Sequence, residues 1–439
     1  MALPELNAAI VEQAITPEPG CPLTGFVART EPSKDVHDDL FARFLLIEHA
    51  GARAALVTAD MLGTDVPTAT DLRRKVADIL QTTPDHVMLN ASHTHAGPAS
   101  IDLIGIAPLD AAFIGRLETV LCDLARRAMA GLEPAVFSHR RGRAPDVGVI
   151  RRRPRQQPAP YSLDATLEVL TVDRPAGPPM GIIVSLPCHA VAAGTTLSIS
   201  ADFPGVMVRT LADDHPGQVI AFAQGCAGDI NPAAGVRGFD AAEQTGATLA
   251  RAVRDTLRDV APTVLAGPIR AATTTAVLPF DDPPARDELA ALDERSRQPD
   301  ADPGDRAMGA FARRTMAAVD SGSVPIGLEV PVQAVAIGRD PCLRIVALPG
   351  EPLSTLAMAL RDALPDPTMV LGYTNGLMGY IADRRSHRDG GYEIDTAFRY
   401  YGHPARFAAG AGETLAAAAR QLVLAQLAEL QETSDGGVI

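Results

Sequence analysis

The chain has 439 residues, 46% of them hydrophobic and 21% charged, which supports a large buried core and excludes a disordered chain. Its formal net charge of −14 repels nucleic-acid phosphates and anionic membrane surfaces, and without Trp and with only 4% aromatic residues it has no stacking platform for single strands. Five dispersed Cys without a CxxC pair suit a reducing compartment better than a disulfide scaffold.

The opening "MALPELNAAIVEQAITPEPGCPLTGF" has neither a basic start nor a continuous apolar stretch, and no apolar run long enough to span a membrane follows. The expectation is a soluble cytoplasmic protein acting on a small-molecule substrate, with no nucleic-acid or membrane partner. A homo-oligomer is left open.

Residues 40–51 and 53–62 read as two strands joined by a Gly turn, and 66–81 as an amphipathic helix with Thr and Asp as cap candidates. Asp60 ends the second of these strands, and a carboxylate buried there needs a partner. "HVMLNASHTH" (86–95) is an apolar run breaking into a polar loop, and 110–132 is a long amphipathic helix. A strand is expected at 165–174. The stretch 180–191 is a buried strand running into Cys188-His189. "SADFPG" (200–205) reads as a helix start with Ser200 or Asp202 as cap. "VIAFAQGCAGDINP" (219–232) repeats the strand-to-polar form, and a helix covers 240–260. The charged stretch 281–306 is expected to be a surface insert or flap. Adjacent strands follow at 326–338 and 342–352, another at 368–381, and a closing helix at 412–432. This alternation predicts an α/β fold with mixed sheets flanked by helices, as one domain over 1–439.

Several strand-like runs end alike, in "SHTHAGP", "LPCHAV", "QGCAGDINP", "LPGEP" and "GYTNGLMGY". Ligands collect where strand ends open into loops. These ends offer His93, His95, His189, Asp229, Asn231, Glu351, Tyr373 and Tyr380. Taken alone, His93 and His95 are either a metal site or a chance pair in a polar loop. Imidazoles with a carboxylate would make a zinc site with room for water. Cys188 and Cys226 read as small packing residues.

In chain order, "ITPEPGCPLTGF", "ASHTHAGP", "LPCHA", "QGCAGDINP", "ALPGEP" and "GYTNGLMGYIADRRSHRDGGYE" resemble the neutral/alkaline ceramidase family over roughly residues 13–410. The resemblance implies an α/β catalytic domain with Zn²⁺ in its active centre and hydrolysis of an amide. It carries the zinc ligands over to His93, His189, Glu351 and Tyr380. It makes His95 and Tyr392 active-site neighbours and maps an arginine to Arg151 or another of Arg151–Arg153. Asp229 and Asn231 fall in the block where the family has "GDxSP", so Asn231 stands in place of a serine. Asn cannot be that nucleophile, but its amide can donate to an oxyanion. Unlike the family, the chain shows no secretion signal and no C-terminal β-sandwich. The expected function is therefore zinc-dependent hydrolysis of a C–N amide bond in a small soluble N-acyl substrate by zinc-activated water. A zinc esterase or lactonase, a ceramidase acting on a sphingolipid, and a non-catalytic binding protein stay open as alternatives.

Overall fold

The computed structural model describes residues 6–152 and 162–435. Its local signals are those of the sequence. Strands Phe41–His49 and Ala52–Ala59 form a hairpin whose two turn residues, Ala50 and Gly51, both have positive φ (49° and 85°). That is the twist a two-residue hairpin turn requires. Helix Val66–Leu80 starts where the Asp65 side chain accepts the Thr68 N–H, with Pro67 in its first turn.

Two mixed sheets organise the chain. The larger has, in spatial order, Val219–Gln224, Gly181–Leu186, Thr166–Asp173, Glu133–Arg143, Leu6–Ala14, Phe41–His49, Ala52–Ala59 and Val87–Ala91, with Thr263–Leu265 also paired to Glu133–Arg143. The smaller has Ile269–Pro279, Gly327–Ile337, Leu343–Ala347 and Thr368–Leu371. Their inner faces share one core, in which Leu45, Leu56, Phe137, Leu170 and Ile183 meet Val335, Ile345 and Met369.

The outer faces are covered by helices. Val66–Leu80 and Ala111–Ala130 lie over Phe44, Val57 and Leu89. Asp202–Asp214 and Phe239–Asp259 lie over Val184 and Phe222. Ser354–Ala363 and Ala411–Asp435 cover Val332 and Val346. The layers run helix, sheet, sheet, helix, so the expected α/β architecture is observed. Each fully buried aromatic such as Phe222 contributes about 1.5–3 kcal/mol of transfer free energy.

Within these two sheets, among the described residues, three pairs of neighbouring strands are parallel: Ala52–Ala59 with Val87–Ala91, Gly181–Leu186 with Val219–Gln224, and Leu343–Ala347 with Thr368–Leu371. Parallel strands deliver their C-terminal loops to one rim. The edge strands of the large sheet are then joined to the small one by the bridges Asn90–Thr374 and Gly225–Leu371. The rim therefore gathers the loops that carry His93, His189, Asn231, Glu351 and Tyr373.

Some elements differ from expectation. Long strands at Leu6–Ala14, Glu133–Arg143 and Ile269–Pro279 were not expected, because polar residues interrupt their alternation. The stretch 281–306 holds helix Arg286–Ser296 and the start of Pro303–Asp320, and Leu289 and Phe311 are buried against Phe398. These are the helical pieces expected there, and they pack onto their neighbours. At the helix start, Ala201 holds the N-cap position, while Ser200 Oγ accepts the Asp202 N–H and donates to Asp38, and the Asp202 carboxylate accepts the N–H groups of Ala192, Ala193 and Phe203. Asp60 does find its partner, accepting from Arg43 Nη1 and the Phe41 N–H at 3.0 Å each. Among the described residues no helix is long and apolar enough to cross a membrane.

Candidate active site

His93 follows strand Val87–Ala91 in left-handed backbone (φ 63°), held by its N–H to the Met61 carbonyl. Its Nδ1 lies 2.7 Å from the Leu62 carbonyl, His189 Nδ1 lies 2.7 Å from the Ala227 carbonyl, and His95 Nδ1 lies 3.0 Å from the Gly25 carbonyl. A carbonyl accepts only, so each ring carries its proton on Nδ1 and turns an Nε2 lone pair inward. Gly25 is required where it stands: a Cβ there would fall 2.5 Å from His95 Nδ1, at a φ of +99°.

The three rings bring their ligand nitrogens within 4.8 Å of one another. His93 and His95 Nε2 are 3.1 Å apart. Glu351 Oε2 lies 3.2 Å from His93 Nε2 and 3.0 Å from His189 Nε2. Four lone-pair atoms thus crowd together with no proton to share, and Oε2 has no hydrogen-bond donor. Burial and the neighbouring Arg151 push His189 down to about 4, and burial pushes His95 well down, so neither of these two rings favours a second proton. A cation is what this donor set lacks. A tetrahedral zinc with bonds of about 2.0–2.1 Å separates its ligand atoms by roughly 3.3–3.4 Å, close to these spacings. The residues therefore fit a metal ion.

Around this centre, Tyr401 Oη donates to Glu351 Oε1 at 2.5 Å, and Tyr380 Oη lies 3.4 Å from His189 Nε2. Glu351-Pro352 pairs in parallel with Tyr380-Ile381, which brings the carboxylate and the tyrosine side by side. Arg151 donates to Glu393 Oε1, Asn231 Oδ1 and the Gly228 carbonyl, and its guanidinium sits 5.3 Å from the Tyr380 ring centre. Arg152 instead ties Glu393 to the carbonyls of Ser386 and Gly390. Arg153 lies outside the described residues.

Seven of the nine expected residues converge: His93, His95, His189, Glu351, Tyr380, Arg151 and Asn231. The Asp229 carboxylate is occupied by the N–H and hydroxyl of Ser354, at the start of helix Ser354–Ala363. Tyr392 stands at the rim, 50% exposed, its ring 5.9 Å from that of Tyr380. A cavity of about 330 Å³ opens there, lined by Arg151, Arg152, Gly390, Gly391, Tyr392 and Glu393. Cys188 and Cys226 are buried, and burial pushes both thiols up, as packing residues require.

Sequence reasoning passed over several residues that build the site. Fully buried Gln224 donates to the carbonyls of Ser92 and Cys188, the residues just before His93 and His189. Asn90 donates to the carbonyls of Gln224 and Gly372 and to Thr374 Oγ1. Arg29 grips the carbonyls of Thr24, His95 and Thr196. An apolar strand ending in Asn or Gln was the available signal for the first two.

No protein-family model matches the chain, and no curated protein matches it. Solved structures do. A neutral ceramidase from Pseudomonas aeruginosa aligns at TM-score 0.74 with 17% identity, over 98% of this chain and 75% of that one. A ceramidase complexed with C2 aligns at TM-score 0.74 with 17% identity, over 98% and 76%. The chain shares their fold.

Proposed function

We propose that the chain is a zinc-dependent hydrolase that cleaves the amide bond of a small N-acyl substrate and belongs with the neutral ceramidases in chemistry as in fold. One observation carries the reading: the Nε2 atoms of His93, His95 and His189 converge with Glu351 Oε2, which has no hydrogen-bond donor among the described residues. His93, His189 and Glu351 would hold the ion, with Tyr380 beside His189 completing the set. When bound, zinc lowers the pKa of a water toward about 7 and polarises a carbonyl.

The chain's own groups do the rest. Arg151 holds Asn231 by Oδ1, which leaves the Nδ2 hydrogens for the substrate carbonyl oxygen. His95, 3.1 Å from His93 and not among the proposed ligands, would take a proton at Nε2 from the attacking water and pass it to the leaving amine. Tyr392 lines the cavity beside Arg151 and would meet the substrate's entering end.

The test is hydrolysis of matched N-acyl amides and acyl esters by zinc-loaded and chelator-treated protein. Amide turnover that disappears with the metal is expected. Ester turnover alone would favour the esterase reading, and no turnover of either would favour a binding protein.

A further inference from the structure

Tyr373 carries two costs with no structural return. Its hydroxyl is buried, the residue being 3% exposed, and it finds no hydrogen-bond partner among the described residues. Its backbone is left-handed at φ 50°, a region bulky residues avoid. That backbone is clamped on both sides: its N–H donates to the Gly350 carbonyl and its carbonyl accepts from the Ala91 N–H. The ring packs among Leu62, Ile101, Leu103 and Leu377, where phenylalanine would fill the same space without stranding a hydroxyl.

The ring also lies on the candidate centre, 4.4 Å from the His93 ring and 5.9 Å from the His189 ring, between centroids. The donors around it are committed. The imidazole Nδ1 protons go to carbonyls, Tyr401 donates to Glu351, and Arg151 serves Glu393, Asn231 and Gly228. An uncommitted phenol donor against this cluster is paired with an acceptor that arrives from outside the protein.

We propose that Tyr373 is a catalytic residue whose hydroxyl donates a hydrogen bond to the substrate's carbonyl oxygen as it gains negative charge, a second donor beside Asn231. This rests on the hydrolase reading above. No proton is transferred: the phenol stays protonated throughout.

The test is Tyr373→Phe. In the metal-free protein the variant melts at or above the wild-type temperature, because it removes an unpaired buried hydroxyl and breaks no contact. In the zinc-loaded protein its metal stoichiometry is unchanged, its affinity for inorganic phosphate, an oxyanion probe, falls by about tenfold or more, and kcat falls by about 10²-fold with KM little changed. A variant that unfolds or melts lower overturns the proposal, because the hydroxyl then has a structural partner. Phosphate affinity and kcat within about twofold of wild type overturn it too. Failure of the parent reading looks different: wild-type protein takes up no zinc and turns nothing over, which is seen before the variant is compared.

Discussion

Arg151 Nη1 lies 3.2 Å from Asn231 Oδ1, and because a guanidinium only donates, this contact decides which end of the Asn231 amide remains free. The free end is the donor. Asn231→Asp tests this cleanly, since an aspartate has the same shape and suits Arg151 better but offers no N–H. The Asp variant should fold and load zinc as wild type does, with kcat reduced by about 10²–10³-fold, as Asn231→Ala should be. Steady-state kinetics alongside metal analysis reads both. An Asp variant of wild-type activity would remove Asn231 from the chemistry.

Gln224 links the two histidine-bearing strand ends through Ser92 and Cys188. Gln224→Leu leaves those buried carbonyls without their donor, at about 1–3 kcal/mol for each orphaned group. It should lower denaturant stability by at least about 2 kcal/mol and weaken zinc binding by about 10–100-fold. Chemical denaturation and competitive chelator titration measure the two effects separately. Zinc affinity equal to wild type would show that the rings are positioned without it.

This network explains what the sequence made legible. His93, His189 and Glu351 stand out because each ends an apolar run in a residue type that costs free energy to bury unless it is used. Gln224 and Asn90 end similar runs, yet their role lies in carbonyls on other strands, and no local spacing records that. Tyr373 is offered at such a strand end, yet nothing local shows whether its hydroxyl meets the site or the core. The strand Glu133–Arg143 was hidden for a related reason. Its "SHRRGR" segment breaks the alternation of a strand, but His139 lies 2.7 Å from Glu168 Oε2 and Arg141 donates to Glu168 Oε1 at 2.8 Å across the sheet. A carboxylate far along the chain makes those charges compatible with a strand.

Asp202 gives a pH dependence with a definite sign. Burial pushes its carboxyl up to about 6, against the pull of three backbone N–H groups and with Asp38 adding to the rise. Its unfolded value is about 3.9. Between those values the folded state binds more protons than the unfolded one. Its contribution to stability is therefore greatest below about pH 4, declines as pH rises to about 6, and is flat above. Asp202→Asn removes that slope. The stability difference between variant and wild type in metal-free protein should shift by about 2–3 kcal/mol in favour of the variant from pH 4 to pH 7. A difference that is constant with pH would mean the carboxyl titrates alike in both states.

The most direct test of the central claim is the zinc content of the purified chain, measured together with amide hydrolysis, for wild type and His93→Ala. The account predicts about one zinc per wild-type chain, hydrolysis that is lost to chelator and restored by zinc, and a folded His93→Ala protein with neither metal nor activity. Wild-type protein that stays metal-free in excess zinc, or a His93→Ala variant that binds zinc as tightly as wild type, would contradict it.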